Sequence, residues 1–350
     1  MARDTSTNPP DLMSVAKHSG VSVSTVSRAL TRPDRVAKAT RERVLEAATE
    51  LGYAPNQLAR SLRMQGSRTI GLIISDILVP FHSEVAKGVE DVASSHNYTT
   101  ILCNSSEDSK KEKQYLELLK GFKVGGVIVE PTEVGVASIE ALARAGTPVV
   151  EVDRISGAKG VRAVLSDNMA GAQQAAHYLL GLGHSSFGVI AGDTKITSGR
   201  ERLQGFQEEL ERAGIKLEPR RIVTCRNTDE SGFAAFLEMF KHKDRPKAVF
   251  VCNAQMMGGC LRAIRQLGLR VPKDVSLIGF DDSRWASVVD PPLTVIAQQA
   301  YELGRMAAQM ILDTIEGKTK AASGVTRLET KLIERESCAR VTTKKVGSSK

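Results

Sequence analysis

LMSVAKHSGVSVSTVSRAL, residues 12–30, decides the reading of this chain. Asp11 follows Pro9-Pro10 and precedes an apolar-periodic run, so it is placed to N-cap a helix over 12–18. Gly20 stands where the chain must turn sharply, and glycine reaches positive φ without a Cβ penalty. Ser22 then caps a second helix over 23–30. Ala16 and Val26 straddle the turn. A small residue facing a β-branched one lets two helices cross closely, as a helix-turn-helix requires. Leu12, Val15, Val26 and Leu30 are expected inside, and Val23, Ser24, Thr25, Ser27 and Arg28 partly outside. Arg28 has the donors for a bidentate contact to guanine. Small hydroxyls such as Thr25 and Ser27 suit phosphate oxygens.

A third helix is expected over 38–51, KATRERVLEAATEL, with Val44, Ala47, Ala48 and Leu51 as its apolar stripe. GYAPNQLARSLR, residues 52–63, follows. Together, VAKHSGVSVSTVSRAL, ATRERVLEAATELGYAPNQLARSLR and SRTIGLII closely resemble the LacI/GalR family of bacterial regulators. The resemblance continues through PFHSEVAKGVE (80–90), RERLQGF (200–206), VPKDVSLIGFDD (271–282) and DPPLTVIAQ (290–298), so it spans about residues 11–336.

Charge is distributed as that resemblance leads one to expect. Of the net +8, residues 1–66 contribute ten Lys/Arg against six Asp/Glu, and residues 331–350 six against two. The middle is balanced, so the N-terminal excess coincides with the DNA-reading segment, an electrostatic footprint for phosphate. The tail VTTKKVGSSK reads as a solvated, disordered end. No apolar run reaches the length of a membrane span, and MARDTSTNPPDL lacks a signal-peptide apolar region, so a cytoplasmic protein is expected. Cys103, Cys225, Cys252, Cys260 and Cys338 are scattered without CxxC spacing and read as reduced thiols; the histidines show no metal-ligand spacing. No metal or cofactor is expected.

From about residue 68 the pattern alternates. TIGLIIS, TTILCN, VGGVIVEP, PVVEVDR and AVLSDN read as buried strands, and SFGVIAG, RRIVTC, AVFVCN and VSLIGFDD repeat the scheme. Helical runs lie between them, including FHSEVAKGVEDVASSH and KKEKQYLELLKG, then runs near 169–182, 199–213, 230–242 and 255–267. Two βαβ series predict two doubly wound lobes. Their connections come from the resemblance, which implies type I periplasmic-binding-protein-like lobes joined by three strands.

The expected fold is thus an all-α three-helix helix-turn-helix headpiece with a hinge helix, plus an α/β core of two doubly wound lobes. The expected boundaries are 1–54 for the headpiece, 55–67 for the hinge helix and linker, 68–340 for the core and 341–350 for the tail. Within the core, lobe one is expected over about 68–165 and 295–324, and lobe two over about 166–294 and 325–340.

In open parallel sheets, ligands bind beyond the carboxyl ends of the strands. The strand ends carry Ser75-Asp76, Asp153-Arg154, Asn253 and Asp281-Asp282, while the helix starting near Gly199 carries Arg200 and Arg202. These groups suit a polyol, and Phe81 and Trp285 are candidate aromatic faces for the C–H side of a sugar ring. Each also has a plainer reading: Asp76 as a helix cap, Phe81 as core, Asp281 as a turn residue. The resemblance carries effector contacts onto Arg202 and Asp281, further cleft positions onto Asn253 and Asp153, and a polar one onto Gln298. One departure is Asn253-Ala254 where the family usually has Asn-Asp. The loss of that acid weakens assignment to a particular neutral hexose. Arg154 either admits an acidic sugar or pairs with a neighbouring carboxylate.

The resemblance further places Val23, Ser24 and Arg28 at base-reading positions, with Ser22, Thr25, Ser27, Thr40, Tyr53 and Asn56 as candidate phosphate contacts. Residues 56–63 resemble the family's hinge helix, with Ala59 and Leu62 at the minor groove and Leu62 as the wedge. At eight residues it is too short to be stable alone. The expected protein is a homodimeric repressor of a sugar or sugar-acid operon on a palindromic operator; the apolar heptads of a tetramerising tail are absent after Ile333. A nucleoside or other metabolite is the alternative effector, and a cytosolic solute-binding protein the alternative function. GxSxG, GxxxxGK[ST] and strand-borne GxGxxG motifs are absent, so no enzyme is expected.

Overall fold

The computed structural model describes residues 10–31, 33–53, 67–132, 135–319 and 323–341. The chain divides into two compact units at Ser67/Arg68.

In the first unit, α1 (Leu12–Ser19) is capped by Asp11, whose carboxylate accepts from the Ser14 amide at 2.8 Å. Gly20 ends it at φ 65°, donating its N–H to Ala16 O. Ser22 opens α2 (Val23–Thr31), its hydroxyl accepting from the Thr25 amide at 3.2 Å. α3 (Lys38–Glu50) closes the bundle. Val15, Ala16, Val26, Ala29, Val44, Ala47 and Ala48 are buried together, and Leu12, Leu30, Leu51 and Tyr53 pack partly buried around them. Three valines at about 1.5–3 kcal/mol each make a small core, so the backbone caps matter here.

The second unit holds two six-stranded sheets. The first is built from β1 (Thr69–Ile74), β2 (Thr99–Asn104), β3 (Gly126–Val129), β4 (Val149–Val152), β5 (Arg162–Ser166) and β11 (Gly324–Leu328), in the order β11-β5-β4-β3-β1-β2, all parallel. The second comprises β6 (Phe187–Ala191), β7 (Ile222–Thr224), β8 (Ala248–Val251), β9 (Ser276–Phe280), β10 (Thr294–Ala297) and β12 (Lys331–Ile333), in the order β12-β10-β9-β8-β6-β7. Only β12 runs antiparallel to its neighbour. The central strands are buried over their whole length, as parallel sheets covered on both faces demand.

The covering helices are α4 (Pro80–Ser95), α5 (Ser109–Gly121) and α6 (Val136–Arg144) in lobe one, and α7 (Asn168–Gly181), α8 (Thr197–Arg212), α9 (Asp229–Phe240) and α10 (Ala254–Gln266) in lobe two. α11 (Ala300–Ile315) returns to lobe one and packs on α4. The crossing is tight: a Cβ on Gly304 would lie 2.0 Å from Val85 O, and one on Gly88 would lie 2.1 Å from Tyr301 O.

The lobe boundaries need correction. β10 was expected in lobe one and lies in the second sheet, paired with β9. Most of β11 was expected in lobe two; it extends the first sheet beside β5. The chain therefore crosses between lobes near residues 167, 298 and 329. Across the lobes, Arg327 on β11 forks onto Glu201 of α8 at 2.8 and 2.6 Å, and the Thr197 hydroxyl donates to Ile155 O at 3.2 Å.

Candidate functional site

The carboxyl ends of both sheets open into a cavity of about 1260 Å³ between the lobes. Asp76, Phe81, Asp153 and Arg154 line it from lobe one, and Arg202, Asn253, Asp281 and Gln298 from lobe two and the crossing beyond β10. Trp285 does not line it. After β9 the chain turns away through a short 3₁₀ segment, Arg284–Ser287, which lays the indole against the core of lobe two. Arg200 is also outside the lining; it is exposed and donates to Lys195 O at 3.3 Å. Asp282 pairs with Arg335 through two 2.8 Å contacts, so only Asp281 of that dyad reaches the cavity.

On the lobe-two side, Asp281 sits at φ 78°. Its carboxylate accepts from the Ala254 amide at 3.3 Å and from Gln298 Nε2 at 2.5 Å. Gln298 Oε1 has no hydrogen-bond partner among the described residues. Asn253 caps α10, accepting from the Met256 amide at 2.8 Å. Arg202 is buried; it donates from Nε to Asn168 Oδ1 and from Nη1 to Cys252 O, both at 2.8 Å. Its guanidinium stands 3.9 Å above the Phe280 ring, an arrangement that holds a cation in place at the cavity wall.

Lobe one contributes a charged cluster. Asp76 accepts from the Leu78 amide at 3.0 Å and does not cap α4, whose N-cap is Val79. Phe81 packs partly into the core and edge-on to His82. Asp153, buried at φ 67°, has its pKa pushed up to about 6 by burial and by the Glu130 carboxylate. Arg154 is also buried and has its donors engaged. Nε reaches Glu130 Oε1 at 3.1 Å, Nη1 and Nη2 fork onto Glu107 at 2.9 and 2.7 Å, and Nη2 also contacts Glu130. Of the two readings of Arg154, the structure thus shows pairing with carboxylates.

Glu130 accepts from the Ser75 amide at 2.9 Å and the Ser75 hydroxyl at 3.0 Å, and lies 3.2 Å from His82 Nε2. Burial opposes its ionisation, yet Arg154 and His82 hold its pKa well below the carboxylate range. Burial likewise opposes charge on His82, but Glu130 overcomes it and lifts the pKa to about 9. His82 is therefore a cation at neutral pH, donating from Nδ1 to Asp76 O at 2.8 Å. The sequence reading omitted Glu130, His82 and Glu107. The strand-end rule would have found Glu130, which directly follows β3; His82 and Glu107 lie beyond its reach, on a helix and in a loop.

In the headpiece, Val23, Ser24 and Arg28 are exposed on α2, Arg28 Nε donating to Ser24 O at 3.2 Å. Ser22 is exposed, with its hydroxyl within 2.8 Å of Thr25 Oγ1. Thr25, Ser27, Thr40 and Tyr53 are half-buried. Asn56, Ala59 and Leu62 lie outside the described residues. Among the described residues, no group of three or more His, Cys, Asp or Glu is placed to hold a metal ion. None of the helices there is long and apolar enough to cross a membrane.

A helix-turn-helix headpiece joined to a two-lobed core with a polar interlobe cavity defines a ligand-responsive, DNA-binding transcription regulator. Residues 11–56 match the bacterial regulatory proteins of the lacI family, and residues 176–338 match a periplasmic binding protein-like domain. The chain is 37% identical over 325 residues to the HTH-type transcriptional repressor CytR of Escherichia coli (strain K12), covering 92% of this chain and 94% of that protein. The lac repressor dimer bound to operator and the anti-inducer ONPF superposes with a TM-score of 0.82 at 28% identity, covering 95% of this chain and 100% of that one. A LacI family regulator from Enterococcus faecium with bound ribose gives a TM-score of 0.71 at 28% identity, covering 78% and 100%. The chain belongs to the LacI family of bacterial regulatory proteins.

Proposed function

We propose that this chain is a cytoplasmic, homodimeric repressor whose grip on a palindromic operator is set by a neutral, sugar-bearing effector, a free pentose or a nucleoside, in the interlobe cavity. The observation that carries the effector reading is the convergence of Asp153, Arg202, Asp281 and Gln298 on one cavity from elements of both lobes. A molecule with several hydroxyls would satisfy such an array, and its contacts to both lobes would favour one degree of closure over another. The ribose seen in the Enterococcus relative supports a pentose moiety. The engagement of Arg154 by Glu130 and Glu107 argues for a neutral effector over a sugar acid. A volume of about 1260 Å³ leaves room for a base beside the sugar.

On the DNA side, Val23, Ser24 and Arg28 would read base edges while Ser22, Thr25, Ser27, Thr40, Tyr53 and Asn56 hold phosphates. The two recognition helices of a dimer would enter major grooves about 34–36 Å apart. Ala59 and Leu62 would enter the minor groove between them.

A thermal-shift series on the full chain tests the effector claim, because bound ligand stabilises by mass action, about 2.7 kcal/mol at a hundredfold excess over Kd. D-Ribose, adenosine, cytidine and D-glucose should divide, with a ribosyl compound raising Tm in wild type and not in Asp281→Ala. A shift that survives in Asp281→Ala, or a panel in which glucose alone shifts Tm, would remove this reading.

A further inference from the structure

The two carboxylates that hold Arg154 differ in kind. Glu130 is fully locked: its side chain is 2% exposed and is bonded to Ser75, His82 and the guanidinium. Glu107 is 48% exposed, and the hydrogen bonds its carboxylate makes among the described residues all come from Arg154. It reaches that position by an unusual backbone. Ser106 and Glu107 stand consecutively at φ 54° and 57°, the left-handed region that non-glycine residues seldom enter. Asn104 pins the turn: its Nδ2 donates to Ser106 Oγ at 3.1 Å, and its Oδ1 accepts from the Ile77 amide at 2.8 Å. Asp108 then caps α5 and fixes the far side. Strain of this sort persists where surrounding contacts over-determine it.

The outcome is a side chain folded back over the guanidinium at the cavity wall. A guanidinium fork takes any carboxylate or phosphate bidentately. Left open here, it would draw anionic metabolites into the cleft. Glu107 fills the fork with a carboxylate from the chain itself and adds a negative charge beside it.

We propose that Glu107 is a specificity-determining residue that keeps anionic effectors out of the cleft by occupying the Arg154 fork, an inference that rests on the neutral-effector reading above. The probe is sodium D-gluconate, titrated calorimetrically into the full-length protein against sodium chloride at equal ionic strength. Wild type should bind gluconate only weakly. Glu107→Ala should bind gluconate roughly tenfold more tightly or better, the value of at least one charge-assisted hydrogen bond. Glu107→Gln, which keeps the shape and loses the charge, should fall between them and serves alone if the alanine variant does not fold. The gain should vanish in Glu107→Ala/Arg154→Lys, because an ammonium cannot fork. Gluconate bound equally by wild type and variants, or a gain that survives Arg154→Lys, overturns the proposal. D-Ribose, adenosine and cytidine titrated into wild type read the earlier claim separately. A gluconate gain with none of these three bound sinks the neutral-effector reading and leaves the filter, whereas binding of one of them without a gluconate gain does the reverse.

Discussion

Replacing His82 by glutamine removes a buried cation from lobe one, and the structure sets the size of the effect. Burial opposes the charge on His82, but Glu130 raises its pKa from 6.5 to about 9. With the folded value above the unfolded one, the native lobe keeps a proton that the unfolded chain releases between those two pH values. The stability this supplies is complete below pH 6.5 and is lost as pH rises through 9. Over that window the linkage amounts to about 3 kcal/mol, at roughly 1.36 kcal/mol per pH unit. Urea unfolding of wild type at a series of pH values should therefore show stability falling by about 2–3 kcal/mol between pH 6.5 and 9. His82→Gln should lose that slope and be less stable at pH 6.5, where Glu130 is left with Arg154 as its cation. The thiols that begin to titrate near pH 9 are common to both proteins and cancel in the difference. Parallel pH profiles for wild type and variant would refute the assignment of a charged His82 against Glu130.

The α4–α11 crossing makes a sharper steric prediction. Gly304→Ala, with its Cβ 2.0 Å from Val85 O, should destabilise the core by about 3 kcal/mol or more, whereas Gly121→Ala, facing open space at the end of α5, should stabilise it by about 0.5–1 kcal/mol. Equal urea midpoints for the two would contradict the close approach. Arg327 is more than a third exposed, so its pair with Glu201 is worth less than its geometry implies; a double-mutant cycle between Arg327→Ala and Glu201→Gln should give about 0.5–1 kcal/mol of coupling, and zero coupling would mean that the lobes do not hold this contact in solution.

What was legible in the sequence was local. Asp11, Gly20 and Ser22 announce the first two helices because capping and a positive-φ turn depend on residues a few positions apart. Buried strands announce themselves as β-branched runs, and the strand-end rule brought Asp76, Asp153, Asn253 and Asp281 to one cavity. What failed was non-local. β10 and β11 changed lobes relative to expectation because the choice of partner strand depends on residues elsewhere in the chain. Trp285 also follows a strand, but the rule does not say which way a chain turns afterwards, and here it turns into the core. Arg154 had two readings until its partners were placed. Glu130 lies 24 residues before it and Glu107 lies 47 before it, separations at which no periodicity links them. His82 was passed over because a lone histidine near a helix start carries no sign of the buried carboxylate it will meet.

The central claim is that α2 of this chain reads DNA as one half of a symmetric pair. Selection of binding sites from random duplex DNA by the purified full-length protein, repeated with Arg28→Ala, tests it directly. The account predicts enrichment of a two-fold symmetric sequence by wild type, and loss of preference at one symmetry-related position per half-site in the variant, worth about 1–3 kcal/mol there. Enrichment of an asymmetric site, or an Arg28→Ala variant that selects the same sequence with the same preferences, would contradict it.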